Sequence, residues 1–312
     1  EIDYKIMRYK NFFFFFVIKS ETIQNSINNY GVKYHINKAR TMLVKILNLK
    51  KHRRLINFLK FNKNIKFARF GIDKSHIIKN INKKYDYFIT GSDQVWNPNF
   101  NRMSDIDFLV FATPEKRVAF SASFGISEIP EDMKDYYKER LLGIKYLSVR
   151  EDTGKDIIEN LTGRKDVQVL VDPTMLLTSE EWNKVIKKPK QLKTDKYILN
   201  YFLGELSDKR KQEIERIAKE NNCEIINILD KNSPFYENGP SEFLYLEKNA
   251  FMICTDSFHS CVFAILFNRP FVVFDREDSH VKMNSRLDTL LNKFNLKSKW
   301  FNDKISKEQL QA

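Results

Sequence analysis

The fold class is decided by three consecutive segments of the sequence: YILNYF at residues 197–202, DKRKQEIERIAKEN at 208–221 and EIINIL at 224–229. The first and third are short and rich in apolar, β-branched and aromatic residues, which is typical of strands. The middle segment repeats apolar residues at helical spacing behind an Asp that suits a helix start. A strand, a helix and a strand in this order predict a parallel βαβ unit, and so an α/β protein.

The same alternation continues from residue 85 towards the end of the chain. We expect strands at Tyr85–Ile89, Arg117–Ser121, Tyr146–Val149, Val167–Val171, Tyr197–Phe202, Glu224–Leu229, Phe251–Cys254 and Phe271–Phe274. We expect helices at Glu131–Leu142, Thr153–Leu161, Ser179–Lys187, Asp208–Asn221, Ser257–Phe267 and Asn284–Phe294. Parallel sheets collect ligands at the carboxyl ends of their strands, so the loops there should carry the functional residues.

A domain boundary is expected near residue 175, where a strand ends at Asp172-Pro173 and a polar stretch, Lys187–Lys196, follows a short helix. The predicted domains are residues 1–175 and 176–312. Two α/β domains of this size would face a shared cleft, and the last helices would cross back over the first domain.

The spacing of glycine, cysteine and histidine excludes several enzyme classes. No two of the nine glycines are closer than nine residues. The dinucleotide fingerprint G-x-G-x-x-G, the P-loop and the G-x-S-x-G nucleophile elbow are therefore absent. The three cysteines form no C-x-x-C pair and the five histidines no H-E-x-x-H. No metal site is expected, and sparse cysteines suit a reducing cytoplasm.

The formal net charge of +13 comes from the first quarter of the chain. Residues 1–84 hold 20 Lys/Arg and 4 Asp/Glu, whereas residues 85–312 hold 33 and 36. Within a basic helical segment at about residues 35–66, the stretch Lys45–Lys66 interleaves cations with apolar residues at near-helical spacing. It fits a solvated helix face, or a peripheral contact with an anionic membrane or acidic glycan. No nucleic-acid partner is expected, because no recognised binding motif accompanies the charge.

The first candidate site is the loop Ile89–Pro98, where an apolar strand runs into small and polar residues. Gly91 allows a tight turn, and Ser92, Asp93 and Gln94 would present backbone N–H groups and a carboxylate. A capped turn anchored by a buried Trp96 explains the same residues.

The second candidate is Ser148-Val149-Arg150-Glu151, in which a strand end delivers Arg150 to the expected ligand edge. The planar guanidinium suits a carboxylate or a phosphate. A surface pair between Arg150 and Glu151 or Asp152 is the alternative.

The third candidate is the switch from strand to helix around Asp256, Ser257 and His259. His259 would lie in the first helical turn, where backbone N–H groups favour an anion. We expect a neutral imidazole that becomes a proton donor once a multiply charged anion binds. Asp172-Pro173-Thr174 and Arg286 are weaker candidates, because helix capping and a surface charge explain them as well.

Together these blocks resemble the polysaccharide pyruvyl transferase family, in the family's order and spacing from about residue 85 to 296. The matching blocks are Gly91–Asn97, Ala122–Gly125, Ser148–Glu151, Val171–Thr174, Asp256–His259 and Asn268–Phe271. The resemblance implies two Rossmann-like domains in a glycosyltransferase-B-like arrangement. It also implies transfer of a pyruvyl group from phosphoenolpyruvate to a cell-surface glycan as a ketal, with Arg150 and His259 near the donor.

Two departures from the family pattern are visible. Family members begin with a strand and an Asn-Tyr-Gly-Ala type turn, whereas this sequence starts at Ile2-Asp3-Tyr4-Lys5, which resembles the strand after that unit. The first sheet is therefore expected to lack its leading strand-helix unit. Ser260 stands where many relatives have glycine.

These residues give a mechanistic hypothesis. Phosphoenolpyruvate sits between Arg150 and the helix start at Ser257–His259, with Gly91–Gln94 on the other domain's side. His259 protonates the methylene carbon, and Asp93 or Glu151 is the base that activates a sugar hydroxyl. The scheme requires no metal or cofactor besides this donor substrate, and its acceptor is a saccharide or lipid-linked saccharide.

Two other functions remain open from the sequence. A nucleotide-sugar glycosyltransferase would use the same kind of cleft, since arginine and helix starts also hold diphosphates. A non-catalytic protein that binds glycans or the membrane surface would rely on the basic first quarter. The expected location is the cytoplasm, with peripheral attachment at the inner face of the membrane if the basic segment binds lipid.

Overall fold

A computed structural model describes residues 6–9, 49–63, 65, 67–72, 80–100, 103–277 and 285–312. The chain forms two compact units. The first, which we call the histidine unit, comprises Glu1–Gly71, Ser179–Phe274 and Phe301–Ala312. The second, the arginine unit, comprises Ile72–Thr178 and Asp275–Trp300. The chain passes from the arginine unit to the histidine unit after Thr178. The later segment that contains Arg286 belongs to the arginine unit, together with Ile72–Thr178.

The arginine unit is built on a four-stranded parallel sheet in the order β3-β4-β5-β6. Its elements are β3 (Phe88–Thr90), β4 (Arg117–Ala122), α2 (Lys134–Leu142), β5 (Tyr146–Val149), α3 (Asp152–Thr162), β6 (Gln168–Val169) and α8 (Ser285–Lys293). An aromatic cluster of Trp96, Phe108, Phe124 and Tyr137 fills the core, and the Tyr137 hydroxyl donates to the Trp96 carbonyl at 2.8 Å.

The histidine unit contains the second parallel sheet, in the order β10-β9-β7-β8. Its elements are α1 (Leu49–Asn62), α4 (Ser179–Asn183), β7 (Tyr197–Tyr201), α5 (Asp208–Glu220), β8 (Glu224–Asn227), α6 (Pro240–Asn249), β9 (Met252–Thr255), α7 (Phe258–Leu266) and β10 (Phe271–Val273). All five residues of β7 are buried, as expected for a central strand covered on both faces. A further two-stranded sheet pairs β1 (Ile6–Tyr9) with β2 (Phe67–Ile72).

The basic helix is confirmed as α1, and it packs within the histidine unit. Arg54 lies over the Tyr236 ring at 4.8 Å and donates to the Tyr236 carbonyl at 3.2 Å. Arg53 pairs with Glu237 at 3.3 Å, and Asn57 donates to the Glu237 carbonyl at 2.9 Å. Part of the basic charge therefore serves packing, and contact with a membrane stays a prediction.

All eight predicted strands and six predicted helices are present, with shifts of a few residues at their ends. Helix α6 was not expected, although a proline at its first position and Glu242 at its third follow a known helix-start pattern. The run Phe12–Phe16, interpreted as core or a groove-facing strand, lies outside the described residues. The missing strand-helix unit and the shared cleft likewise stay predictions.

Across the part of the chain that the structure describes, no helix combines the length and the apolar character that crossing a membrane requires.

Gly91 directly follows β3, where the backbone passes very close to β4. Its φ is +127°, and a Cβ at this position would overlap the Phe120 carbonyl oxygen. Glycine is therefore needed for both the backbone conformation and the close approach.

Replacing Gly91 by alanine should destabilise the protein by about 3 kcal/mol, because the added methyl group forces β3 and β4 apart in a strained conformation. Gly163→Ala is the matched control. Gly163 also has a positive φ, of +76°, but a Cβ there meets nothing within 4 Å. Gly163→Ala should therefore lower the free energy of unfolding by only about 1 kcal/mol, as measured by urea denaturation. Equal losses for the two variants would contradict the steric argument.

Candidate functional site

The loops that follow β3, β5 and β6 meet through three buried polar side chains. Asp172 Oδ2 accepts a hydrogen bond from Arg150 Nη1 at 2.8 Å and from Ser92 Oγ at 3.0 Å. The other carboxylate oxygen, Oδ1, accepts from the backbone N–H of Thr174 at 3.0 Å and from the Thr174 hydroxyl. Asp172 thus caps a 3-10 turn and also joins the loops that follow β3 and β5 at the carboxyl edge of the sheet.

Arg150 is held in this network by carboxylates on two sides. Its side chain is 1% exposed, and Nη2 lies 3.4 Å from Asp93 Oδ1. Burial alone would lower the pKa of Arg150, but the charges of Asp172, Asp93 and Glu151 outweigh burial and raise it. Asp93 is 41% exposed and marks the solvent side of the cluster.

Glu151 is fully buried and is fixed by the neighbouring β4 loop. Its Oε1 accepts from Ser123 Oγ at 2.9 Å, Phe124 N at 2.8 Å and Gly125 N at 3.2 Å. Its Oε2 is buried with no hydrogen-bond partner among the described residues. A carboxylate with three donors on one oxygen is positioned to shape the loop, and it brings a further negative charge close to Arg150.

A second buried guanidinium, Arg286, reaches the same cluster from α8. With its amide oxygen turned towards this side chain, Gln94 accepts from Arg286 Nη1 at 3.1 Å and from Nη2 at 3.2 Å. Burial and the charge of Arg150 lower the pKa of Arg286 to about 10, against the opposing effect of Glu151 and Asp93. Arg286 is still a cation at neutral pH, so two positive groups lie close together in a low-dielectric environment.

Helix α8 is fastened to α3 directly beside Arg150. Thr289 Oγ1 accepts from the Asp152 backbone N–H and donates to Asp152 Oδ2, both at 3.1 Å. Lys293 Nζ donates to the Val169 carbonyl at 3.0 Å. These bonds fix the position of Arg286 relative to the arginine unit's sheet.

The histidine unit brings Asp256, Ser257 and His259 together between β9 and α7. The Asp256 carboxylate accepts from the backbone N–H groups of Leu203 at 2.7 Å and Gly204 at 2.8 Å. The Ser257 N–H donates to Thr255 Oγ1 at 3.0 Å. Asp256 therefore orders the loop after β7, and Ser257 is the N-cap of α7.

His259 is the second residue of α7 and is half-buried, with its ring at 90° to that of Phe258. The next residue anchors the helix from below, since Ser260 Oγ donates to Glu247 Oε1 at 2.6 Å. Glu247 is fully buried, and desolvation raises its pKa well above the usual value although the bond from Ser260 opposes the shift. Burial therefore favours the protonated form of this acid beside the start of α7.

The predicted site residues thus fall into two groups. The structure brings Ser92, Asp93, Gln94, Arg150, Glu151 and Arg286 together with Gly91 in the arginine unit, and it brings Asp256, Ser257 and His259 together in the histidine unit. In the described ranges, no cluster of three or more His, Cys, Asp or Glu side chains could hold a metal ion.

Two buried acids were missed or underrated in the sequence. Asp172 looked like a simple helix cap, although its place after β6 put it at the same sheet edge as Arg150. Glu247 lies in a helix that was not expected, and no local pattern indicated that Ser260 would reach it.

A family model for polysaccharide pyruvyl transferase matches residues 17–279. The chain belongs to the polysaccharide pyruvyl transferase family. The resemblance noted from the six sequence blocks is therefore confirmed.

Two further comparisons add less. No curated protein matches the chain. Among solved structures, it is similar to a functionally uncharacterised protein from Klebsiella pneumoniae subsp. pneumoniae NTUH-K2044, at 12% sequence identity and a TM-score of 0.39. That match covers 80% of this chain and 86% of the Klebsiella chain.

In this pyruvyl transferase family member, Asp172→Asn should lower the free energy of unfolding by about 3 kcal/mol, because Arg150 would stay buried without its closest charge partner. Asp166→Asn is the control, since Asp166 pairs with Arg164 at 62% exposure and its loss should cost under about 1 kcal/mol. Urea denaturation of both variants measures the difference. Similar losses for the two would mean that the Arg150 pair does not stabilise the fold.

Glu247→Gln should stabilise the protein above about pH 5, where the unfolded state ionises its glutamate but the folded state keeps it protonated. Because the pKa of Glu247 is raised in the folded state, wild-type stability falls as pH rises from the unfolded value through the folded one. The Tm difference between variant and wild type should therefore be small at pH 4 and grow towards pH 8.

Glu224→Gln, at an exposed position, should show no such trend. A Tm difference for Glu247→Gln that stays constant across this pH range would show that the acid is not neutral in the folded protein.

Proposed function

We propose that this protein transfers a pyruvyl group from phosphoenolpyruvate to two hydroxyl groups of a saccharide, forming a ketal. The observation that carries the proposal is the buried pair of guanidinium groups, Arg150 and Arg286, at the carboxyl edge of a parallel sheet in a member of the pyruvyl transferase family.

The donor has the charges that this pair would recognise. Phosphoenolpyruvate carries a carboxylate and a phosphate on one small carbon frame, and a guanidinium binds either group through two parallel N–H bonds. An anion next to Arg286 would offset the burial and the repulsion from Arg150 that lower its pKa. Ser92 and Gln94 support this edge as polar neighbours, and Gly91 allows their loop to approach β4.

The start of α7 supports a second part of the proposal. Its first turn has backbone N–H groups that favour negative charge, and His259 lies in that turn. We assign His259 as the acid that protonates the donor, with Asp256 and Ser257 ordering the backbone around it.

The reaction balances with these groups. A proton from His259 forms a C–H bond at the methylene carbon, and the adjacent carbon becomes an oxocarbenium-like centre. One sugar hydroxyl adds there and loses its proton to a base. The C–O bond to phosphate then breaks, which makes the same carbon electrophilic again. A second sugar hydroxyl adds there to close the ketal, and the departing phosphate takes its proton.

Of the two carboxylates proposed as base, Asp93 fits better than Glu151. Asp93 is 41% exposed, whereas Glu151 is fully buried and its Oε1 already accepts three hydrogen bonds. We therefore assign Asp93 as the base and Glu151 as a positioning residue for the β4 loop and Arg150.

Calorimetric titration tests the donor assignment. Arg286→Lys keeps the charge but removes the two-pronged geometry, so its dissociation constant for phosphoenolpyruvate should rise about tenfold or more. Arg216→Lys, on the exposed face of α5, should bind like the wild type.

His259→Ala should bind phosphoenolpyruvate moderately less well and lose phosphate release in the presence of acceptor.

Undiminished turnover in His259→Ala would remove that residue from the mechanism. Binding of a nucleotide sugar in place of phosphoenolpyruvate, with release of the nucleotide, would favour a glycosyltransferase. Binding of neither donor would leave the non-catalytic function.

A further inference from the structure

A pocket of about 520 Å³ opens at the carboxyl ends of β7 and β8, inside the histidine unit. It is separate in sequence from the start of α7, and none of the predicted site residues lines it. Its walls come from β7, β8, the loops that follow them and helix α5. This edge of a parallel sheet is the usual place for a ligand, and the volume suits a small molecule.

The floor of the pocket has an incomplete set of amide hydrogen bonds. Asn200 Nδ2 donates to Asn227 Oδ1 at 2.9 Å. Asn200 is 8% exposed, and its Oδ1 is buried with no hydrogen-bond partner among the described residues. Leaving such an oxygen unpaired costs free energy, so a rotation of the Asn200 side chain that presented it to a ligand donor would be favoured. Asn227 is exposed and keeps amide N–H groups for a ligand acceptor.

The remaining lining is partly apolar and carries net negative charge. Phe202 contributes a half-buried aromatic ring. Asp230 and Glu215 contribute two carboxylates, against the single ammonium of Lys211, which already pairs with Asp208 at 3.0 Å. Asp208 stands in the first turn of α5, where a bound phosphate would need positive potential.

This combination disfavours an anion and fits a neutral polyhydroxylated ring. A sugar hydroxyl both donates and accepts, as the two amides require, and vicinal hydroxyls pair with a carboxylate such as Asp230. The C–H face of the ring would pack on Phe202. We propose that this pocket binds a neutral sugar residue, and that this sugar belongs to the acceptor saccharide. The second part rests on the proposed function, whereas the binding of a sugar does not.

Saturation-transfer NMR on the full chain tests this, with methyl β-D-galactoside, methyl β-D-glucoside and methyl α-D-mannoside as probes. At least one glycoside should receive saturation at its ring protons. Titration of that glycoside in the same experiment gives its dissociation constant, which Asn227→Ala, at an exposed position, should raise about fivefold through the loss of one hydrogen bond. Asn292→Ala, which removes an exposed amide from α8 in the other unit, should leave it unchanged.

Each of three results would overturn the inference. The first is no saturation transfer to any of the three glycosides, and the second is equal glycoside affinity in Asn227→Ala and wild type. The third is binding of UMP that Asn227→Ala weakens. The last would assign the pocket to a nucleotide. Phosphoenolpyruvate titration of the same samples separates the two proposals. If phosphoenolpyruvate binds but no glycoside does, only the assignment of this pocket is refuted. If a glycoside binds but phosphoenolpyruvate does not, only the donor assignment is refuted.

Discussion

The arrangement of the arginine unit depends on one buried ion pair, that between Arg150 and Asp172. The Asp172 carboxylate, which neutralises Arg150, also accepts a hydrogen bond from the Ser92 hydroxyl and caps the turn at Thr174. A single side chain therefore fixes three strand-end loops. Removing a charge from such a pair leaves its partner buried and unneutralised, which is costly. The fold therefore keeps Arg150 at the carboxyl edge of the sheet by the same contacts that hold its loops together.

Arg286 extends this principle by adding a cation where one is already present. Burial and the repulsion from Arg150 lower the pKa of Arg286, and the surrounding acids Asp93 and Glu151 oppose this shift. The protein tolerates the repulsion because α8 is fastened to α3 through Thr289 and Asp152. The cluster thus holds two guanidinium groups among the carboxylates of Asp172, Asp93 and Glu151, whereas the pocket beside β7 and β8 is lined by two amides, two carboxylates and one ammonium group.

The strands, most helices and the residues at strand ends could be predicted because local patterns encode them. Apolar runs of strand length located β5 and β9, and so placed Arg150 directly after β5 and His259 in the first turn of the helix that follows β9. The partners could not be predicted in the same way. Whether Asp93 or Glu151 meets solvent, whether Asp172 only caps a turn, and whether Ser260 finds an acid beneath it all depend on contacts between segments far apart in sequence. One-dimensional spacing carries little information about them.

The position of α8 along the chain has a consequence for biosynthesis. Most of the arginine unit, Ile72–Thr178, is translated before the sheet of the histidine unit, yet Arg286 and Thr289 emerge from the ribosome after β7 to β10 have been made. Domains that are continuous in sequence can fold in turn as they are synthesised, but this one must wait for a late segment. A nascent chain stalled shortly before residue 285 would hold Arg150 and its carboxylates without the second guanidinium, so the buried cluster would be completed only near the end of synthesis.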